Sequence, residues 1–273
     1  MSTVSTPEYE TAEGLDEATA AAVHRQLRAI ADTKLLLGYH YGEWTFGTPE
    51  LEAAVANCSL SQSELGHVRL LDGVLKKFYA DDPDRTLKDR PPEAFANIDF
   101  LDRDLAGWPG CIAMNAVVDF GITHLLHAMR DSTFRPIRHN VAKMLDEELY
   151  HVHHGRGWMR TWGARDETDR NALAAQVGEA LHSVARWFGP ENEPEDRALV
   201  AAGIKATSNW DIAAAVRSDV EQLAGDLDLP LLPAAAPEFG SWSATTRRVN
   251  DRGPSEEILA HLRGDRNDMF KLS

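Results

Sequence analysis

Residues 137–158 read IRHNVAKMLDEELYHVHHGRGW, and this stretch decides the fold. Ile137, Val141, Met144, Glu148, His151, Gly155 and Trp158 recur at three- and four-residue steps, the period of one helix face. That face is apolar except at Glu148 and His151. A carboxylate and an imidazole one turn apart on such a face point towards a hydrophobic interior. An unpaired charge is costly there, so the pair needs partner ions or a metal.

Working outward, the same signature appears once more. Ala53, Asn57, Leu60, Glu64, His67, Leu71, Leu75 and Phe78 share a face of a second helix, and Glu64 and His67 repeat the Glu-x-x-His spacing. A third helix, read from Gly110 to Arg130, carries Asp119 inside AVVDFGI. Asp119 precedes Glu148 by 29 residues with the turn near Thr133, so the two stand at similar height in an antiparallel pair. A first helix, Asp16–Trp44, sets Val23, Leu27, Ile30, Lys34, Leu37 and Tyr41 on its stripe. Folding back at TFGTP places Glu64 opposite residues 30–34. Thr48 is the expected N-cap of the second helix, with Pro49 at its first position and its end near Tyr79.

The stretch DDPDRTLKDRPPEAFANIDFLDRD, residues 81–104, lacks strong periodicity. A connection this long wants a reason, and a crossover running the length of a bundle is one. After the DSTFRP turn the fourth helix runs to about Trp162. Further helices are expected at Asp169–Phe188, Pro194–Ile204 and Ser208–Leu227. LPLLPAAAPEFG reads as a Pro-rich loop, and Ser255 opens a last helix. No alternating strand pattern or internal repeat is present. The expected fold is all-α: a ferritin-like four-helix bundle with a long crossover and additional C-terminal helices. Residues 1–15 read as a disordered tail and 16–273 as a single domain.

Composition bounds the partners. The chain of 273 residues has 43 Asp plus Glu against 28 Lys plus Arg, a formal charge of −15. Such a field repels phosphate and argues against nucleic acid and anionic membrane. The 2 cysteines, Cys58 and Cys111, form no CxxC pair and fit a reducing compartment. The N-terminus has no basic region followed by an apolar one, and no apolar run reaches the ~18–20 residues of a membrane span. The expectation is a cytoplasmic protein.

Paired Glu-x-x-His motifs plus a carboxylate from each other helix form the di-metal carboxylate sites of helical bundles. Glu64, His67, Asp119, Glu148 and His151 are the candidate metal ligands, with Glu64, Glu148 and Lys34 as candidate catalytic residues. Imidazole and carboxylate suit iron, as two ions or one, and also manganese. Lys34, thirty residues before Glu64, stands where a further carboxylate is expected. It is read as pointing inward, where it could donate to a site carboxylate and partly replace a cation; snorkelling to solvent is the alternative. Asp32 should face off the stripe by ~200°. A buried salt-bridged network without metal is the competing reading of the whole cluster.

LLLGYHYGEWTFGTPELE, SELGHVRL, LDEELYHVHHG and RWFGPENEPED carry a resemblance to a known family. The chain resembles the ferritin-like subunits of bacterial ring 1,2-phenylacetyl-CoA epoxidase over roughly residues 25 to 265. That system pairs a catalytic di-iron subunit with a homologous inactive scaffold. The first stretch looks like the scaffold's first helix and turn, the other three like the catalytic subunit. By this resemblance Glu64, His67, Asp119, Glu148 and His151 match five of six iron ligands, and the sixth, a glutamate, falls on Lys34. The resemblance implies a non-haem di-metal oxygenase acting on a small organic substrate such as an aromatic acid or acyl-CoA. Electrons would come from a separate reductase, since no flavin, Fe–S or GxGxxG signature is present. It also implies a homodimer or a heteromer with a related subunit. The alternative is a catalytically inactive scaffold with Lys34 among the carboxylates. Ferroxidase chemistry fits the ligands but neither the length nor the resemblance.

Other residues receive blander readings. His153, His154, His40 and Glu43 read as surface or supporting groups, and Tyr39, Tyr41 and Trp44 as core aromatics. Thr123 could line a substrate cavity. Arg130, Arg135 and Arg138, and Arg247, Arg248 and Arg252, are two basic clusters that could meet phosphates.

Overall fold

The computed structural model describes residues 8–232 and 236–265. Its helices are α1 Glu17–Trp44, α2 Leu51–Tyr79, α3 Pro83–Lys88, α4 Gly107–Ala128, α5 Arg135–Gly163, α6 Glu167–Phe188, α7 Pro194–Ala201, α8 Asn209–Asp226 and α9 Glu256–Arg263. Among the described residues there is no β-sheet, and the fold is the all-α, ferritin-like one. Side-chain caps set several starts. Asp16, Asp166, Ser208 and Ser255 each accept a backbone N–H from the first turn of the helix they open. The second helix departs from expectation: it begins at Leu51, and Glu50 is an N-cap without a side-chain bond. Thr48 instead turns its hydroxyl to the Glu50 carbonyl, so neither it nor Pro49 starts the helix.

The long helices α1, α2, α4 and α5 pack around a common interior. α6 covers α4, and α8 lies against α6 and the C-terminal half of α4. The segment between α2 and α4 tracks α1 from end to end. Asp81 meets His24 and Arg28, Arg90 grips Asp32, and the Leu101 carbonyl meets His40. It is therefore a crossover in the expected sense. It delivers α4 to the end of the bundle where α2 begins, leaving α2 and α4 parallel.

Its anchors are internal. Asp32, which leaves the α1 stripe as expected, is buried and accepts two bonds from Arg90 and one from the Ala96 N–H. Arg248 is buried as well, and binds Asp102, the Asn97 side chain and the Phe95 carbonyl. Arg247 stacks over Trp187 and donates to Gln26. The C-terminal arginine cluster is therefore no exposed phosphate patch: two of its three members hold the fold together. Arg135 and Arg138 pair with Glu10 and Glu8.

Those pairs also correct the expected tail. Tyr9 exchanges backbone bonds with Thr133 and Arg135, so residues 8–15 dock on the start of α5. Residues 1–7 lie outside the described residues, as do 233–235 of the Pro-rich loop and the last eight. α4 is long and apolar enough to span a membrane, which the sequence reading did not anticipate. Yet 89% of that stretch is buried inside the bundle, so its apolar surface is used up by the core.

Candidate metal centre

Each long helix contributes to one buried cluster at mid-bundle. α1 supplies Lys34, α2 Glu64 and His67, α4 Asp119, and α5 Glu148 and His151, all essentially inaccessible to solvent. Helix period explains the inward faces, but one element does not follow the simple period. Within α4, Met114–Asp119 forms a π-helical segment, a widened turn that re-aims the side chains at its end. Gly155 of α5 packs against it: a Cβ there would stand 2.9 Å from Asn115 Oδ1 and 3.0 Å from the Ala116 Cα.

The five expected ligands are brought together. Glu64, Asp119, Glu148 and His151 offer donor atoms all within 4.8 Å of one another, a group that could hold a metal ion. His67 Nδ1 lies 3.3 Å from Glu148 Oε1 and 3.8 Å from Glu64 Oε2. Lys34 points inward. Its Nζ donates to Glu64 Oε1 at 2.9 Å, Asp119 Oδ1 at 3.0 Å and Glu148 Oε1 at 2.5 Å.

Electrostatics follow from this geometry. Burial alone would strip the Lys34 proton, but Asp119, Glu148 and Glu64 overcome it and hold its pKa well above the ordinary lysine value. Burial likewise disfavours the His151 imidazolium. The Asp119 charge and hydrogen bond outweigh it and raise the pKa to about 11. Burial pushes Glu64 up to about 7, helped by the neighbouring Asp119 charge. Burial also opposes ionised Asp119 and Glu148, yet both stay below the usual carboxylate range, chiefly because of Lys34.

A ring of partners orients the cluster. Tyr41 donates to Asp119 Oδ2 at 2.9 Å, and Thr123 donates to Glu148 Oε2 at 2.6 Å. Asn115 donates to the His151 carbonyl and accepts from His154. Ser63 donates to Glu147 Oε2, which also faces His67 Nε2 at 3.1 Å, and His151 Nε2 faces Ser63 Oγ at 3.1 Å. Sequence reasoning missed Ser63, Asn115 and Glu147, and took Tyr41 for packing alone. A cavity of about 620 Å³ reaches Glu148 from outside the bundle. Phe120, Thr123, Leu145 and Val152 line it, and Arg130 and Arg156 stand there together with Asp146 and Asp219. Thr123 thus lines a cavity as expected.

The donors fit a first-row divalent metal by type. Two orphaned atoms point the same way: Glu64 Oε2 and His67 Nδ1 are buried without a hydrogen-bond partner. Room for a metal pair is another matter, because the Lys34 ammonium stands among three of the carboxylates.

A helical bundle that converges three carboxylates and two imidazoles from its long helices defines a ferritin-like, carboxylate–histidine class of protein. Within that class the chain belongs to the phenylacetic acid catabolic protein family, whose sequence pattern matches residues 1–263. It is similar to one of the subunits of the 1,2-phenylacetyl-CoA epoxidase of Escherichia coli (strain K12). The two are 23% identical over 176 residues, which cover 64% of this chain and 70% of that protein.

Proposed function

We propose that this chain is the metal-binding subunit of an O2-dependent oxygenase that acts on an organic acid or its acyl-CoA thioester. The observation that carries this reading is the orphaned pair Glu64 Oε2 and His67 Nδ1, buried without a hydrogen-bond partner beside further carboxylates. The metal's ligands are drawn from Glu64, His67, Asp119, Glu148 and His151, with iron the intended metal and manganese compatible. When bound, the metal supplies the redox chemistry that O2 reduction requires. The chain's own residues do the rest. Thr123 and Tyr41 fix the rotamers of Glu148 and Asp119. Phe120, Leu145 and Val152 offer an apolar wall to the substrate, while Arg130 and Arg156 attract its anionic end. Electrons come from a separate reductase. A related ferritin-like protein is the expected partner, in keeping with the relative's place in an epoxidase of several subunits.

One observation favours a second reading. The three Lys34 contacts could hold the carboxylates without any metal, in a non-catalytic scaffold. Elemental analysis of the protein purified from iron-supplemented medium separates the two. Stoichiometric iron, lost in Glu148→Ala, is the expected result. A folded, helical, metal-free protein would overturn the oxygenase reading in favour of the scaffold.

A further inference from the structure

We infer that the centre holds one divalent cation, bound on the His67 side by His67 Nδ1, Glu64 Oε2 and Glu148, with the Lys34 ammonium as its second, covalently attached cation. This rests on the metal-centre reading above and departs from the paired-metal arrangement that the six-ligand pattern implies.

The first argument is charge. Glu64, Asp119, Glu148 and the flanking Glu147 carboxylate are matched by one divalent ion, the Lys34 ammonium and the His151 imidazolium. A second divalent ion would leave two positive charges in excess in a site that water does not reach, a heavy penalty. The second argument is occupancy. Lys34 Nζ fills the space between Glu64 Oε1, Asp119 Oδ1 and Glu148 Oε1. Asp119 has no capacity in reserve, since its other oxygen takes Tyr41 at 2.9 Å and His151 Nδ1 at 2.8 Å.

The third argument separates the two histidines, which the sequence presents as equivalents. His151 faces acceptors on both nitrogens: Asp119 and Glu64 oxygens at Nδ1, and at Nε2 the Ser63 hydroxyl, whose own proton goes to Glu147. It sits there as a donor, one half of an ion pair. His67 is different. Its Nε2 faces the Glu147 carboxylate, which draws the proton to that nitrogen and leaves a lone pair on Nδ1. That Nδ1 makes no hydrogen bond, although Glu148 Oε1 is 3.3 Å away and the orphaned Glu64 Oε2 is 3.8 Å away. Neighbouring ligands at ~2.1 Å from a common ion are separated by ~3.0–3.4 Å at ordinary bond angles. One spacing is within that range and the other needs only a small closure. Glu147 is then the positioning residue for His67.

Cobalt(II) titrated into the chelator-treated full-length protein tests this by its visible absorption and by calorimetry. One Co(II) per chain is expected. His67→Gln should weaken binding by at least tenfold and change the spectrum. His151→Gln should keep the stoichiometry and the spectrum, and Lys34→Glu should raise the stoichiometry to two. Two Co(II) per wild-type chain would overturn the inference and leave the metal-centre reading standing. Binding lost in His151→Gln but kept in a folded His67→Gln would also overturn it. No Co(II) on the folded wild type would overturn both. The wild-type count needs no variant, so a misfolded variant does not rescue the idea. Pulsed EPR on Mn(II)-loaded protein gives an independent count of coordinated imidazoles, expected to be one.

Discussion

At Lys34 the carboxylates outweigh burial and keep the amine charged. Lys34→Met removes that charge without removing the three acids around it. Breaking a buried ion pair from one side costs about 3–5 kcal/mol, so the metal-free variant should unfold at clearly lower urea. Added Mn(II) should restore part of the loss, and an unchanged midpoint would contradict the ionic role. His154 gives a pH signature. Burial lowers its pKa to about 4, while the unfolded chain takes the proton near ~6.5. A base depressed in this way loses stability as pH falls through that window, on the order of 3 kcal/mol in all. Melting curves from pH 7 to 4 should show that loss, and His154→Gln should flatten it. The inward placing of Glu64, His67, Glu148 and His151 was legible because three-residue spacing on an apolar stripe is a local pattern. Lys34 was legible from its thirty-residue offset to Glu64. Ser63, Asn115 and Glu147 were not, because their roles arise only across helices.

Among the elements, α4 and α5 meet most tightly where the π-helical segment faces Gly155. A Cβ at that position would press on the Ala116 backbone, which cannot rotate away. Gly155→Ala should therefore cost about 1–3 kcal/mol. It should also weaken Co(II) binding, since Asp119 ends the displaced segment; equal affinity in a destabilised variant would separate packing from site geometry. Element positions followed from periodicity, and the helix starts expected at Asp16, Ser208 and Ser255 fall on the residues that cap those helices. The π segment was not, since one residue of extra winding leaves no mark in an apolar run such as AVVDFGI. Thr48 misled for a related reason, because its hydroxyl serves a local turn rather than the helix.

Across the whole molecule, buried arginines fasten the crossover to the bundle and to the C-terminal segment. Arg248→Met strands Asp102 and Asn97 together, and should lower stability by on the order of 3 kcal/mol. Protease sites between residues 80 and 106 should open first, a result readable by mass spectrometry of the fragments. Intact resistance in that segment would show that other contacts suffice. Sequence composition suggested a surface patch at Arg247 and Arg248, because charge alone does not reveal burial. The crossover itself was legible from its length and its want of periodicity, though its path along α1 was not.

The lysine in the interior also sets an order of events. A site of bare carboxylates would need an external cation before its helices could close. This chain is synthesised with its own counter-ion attached, one that no chelator removes and no competitor displaces. Closure of the bundle is thereby separated from the binding of any external ion, and the metal-free chain should fold with its full helical content.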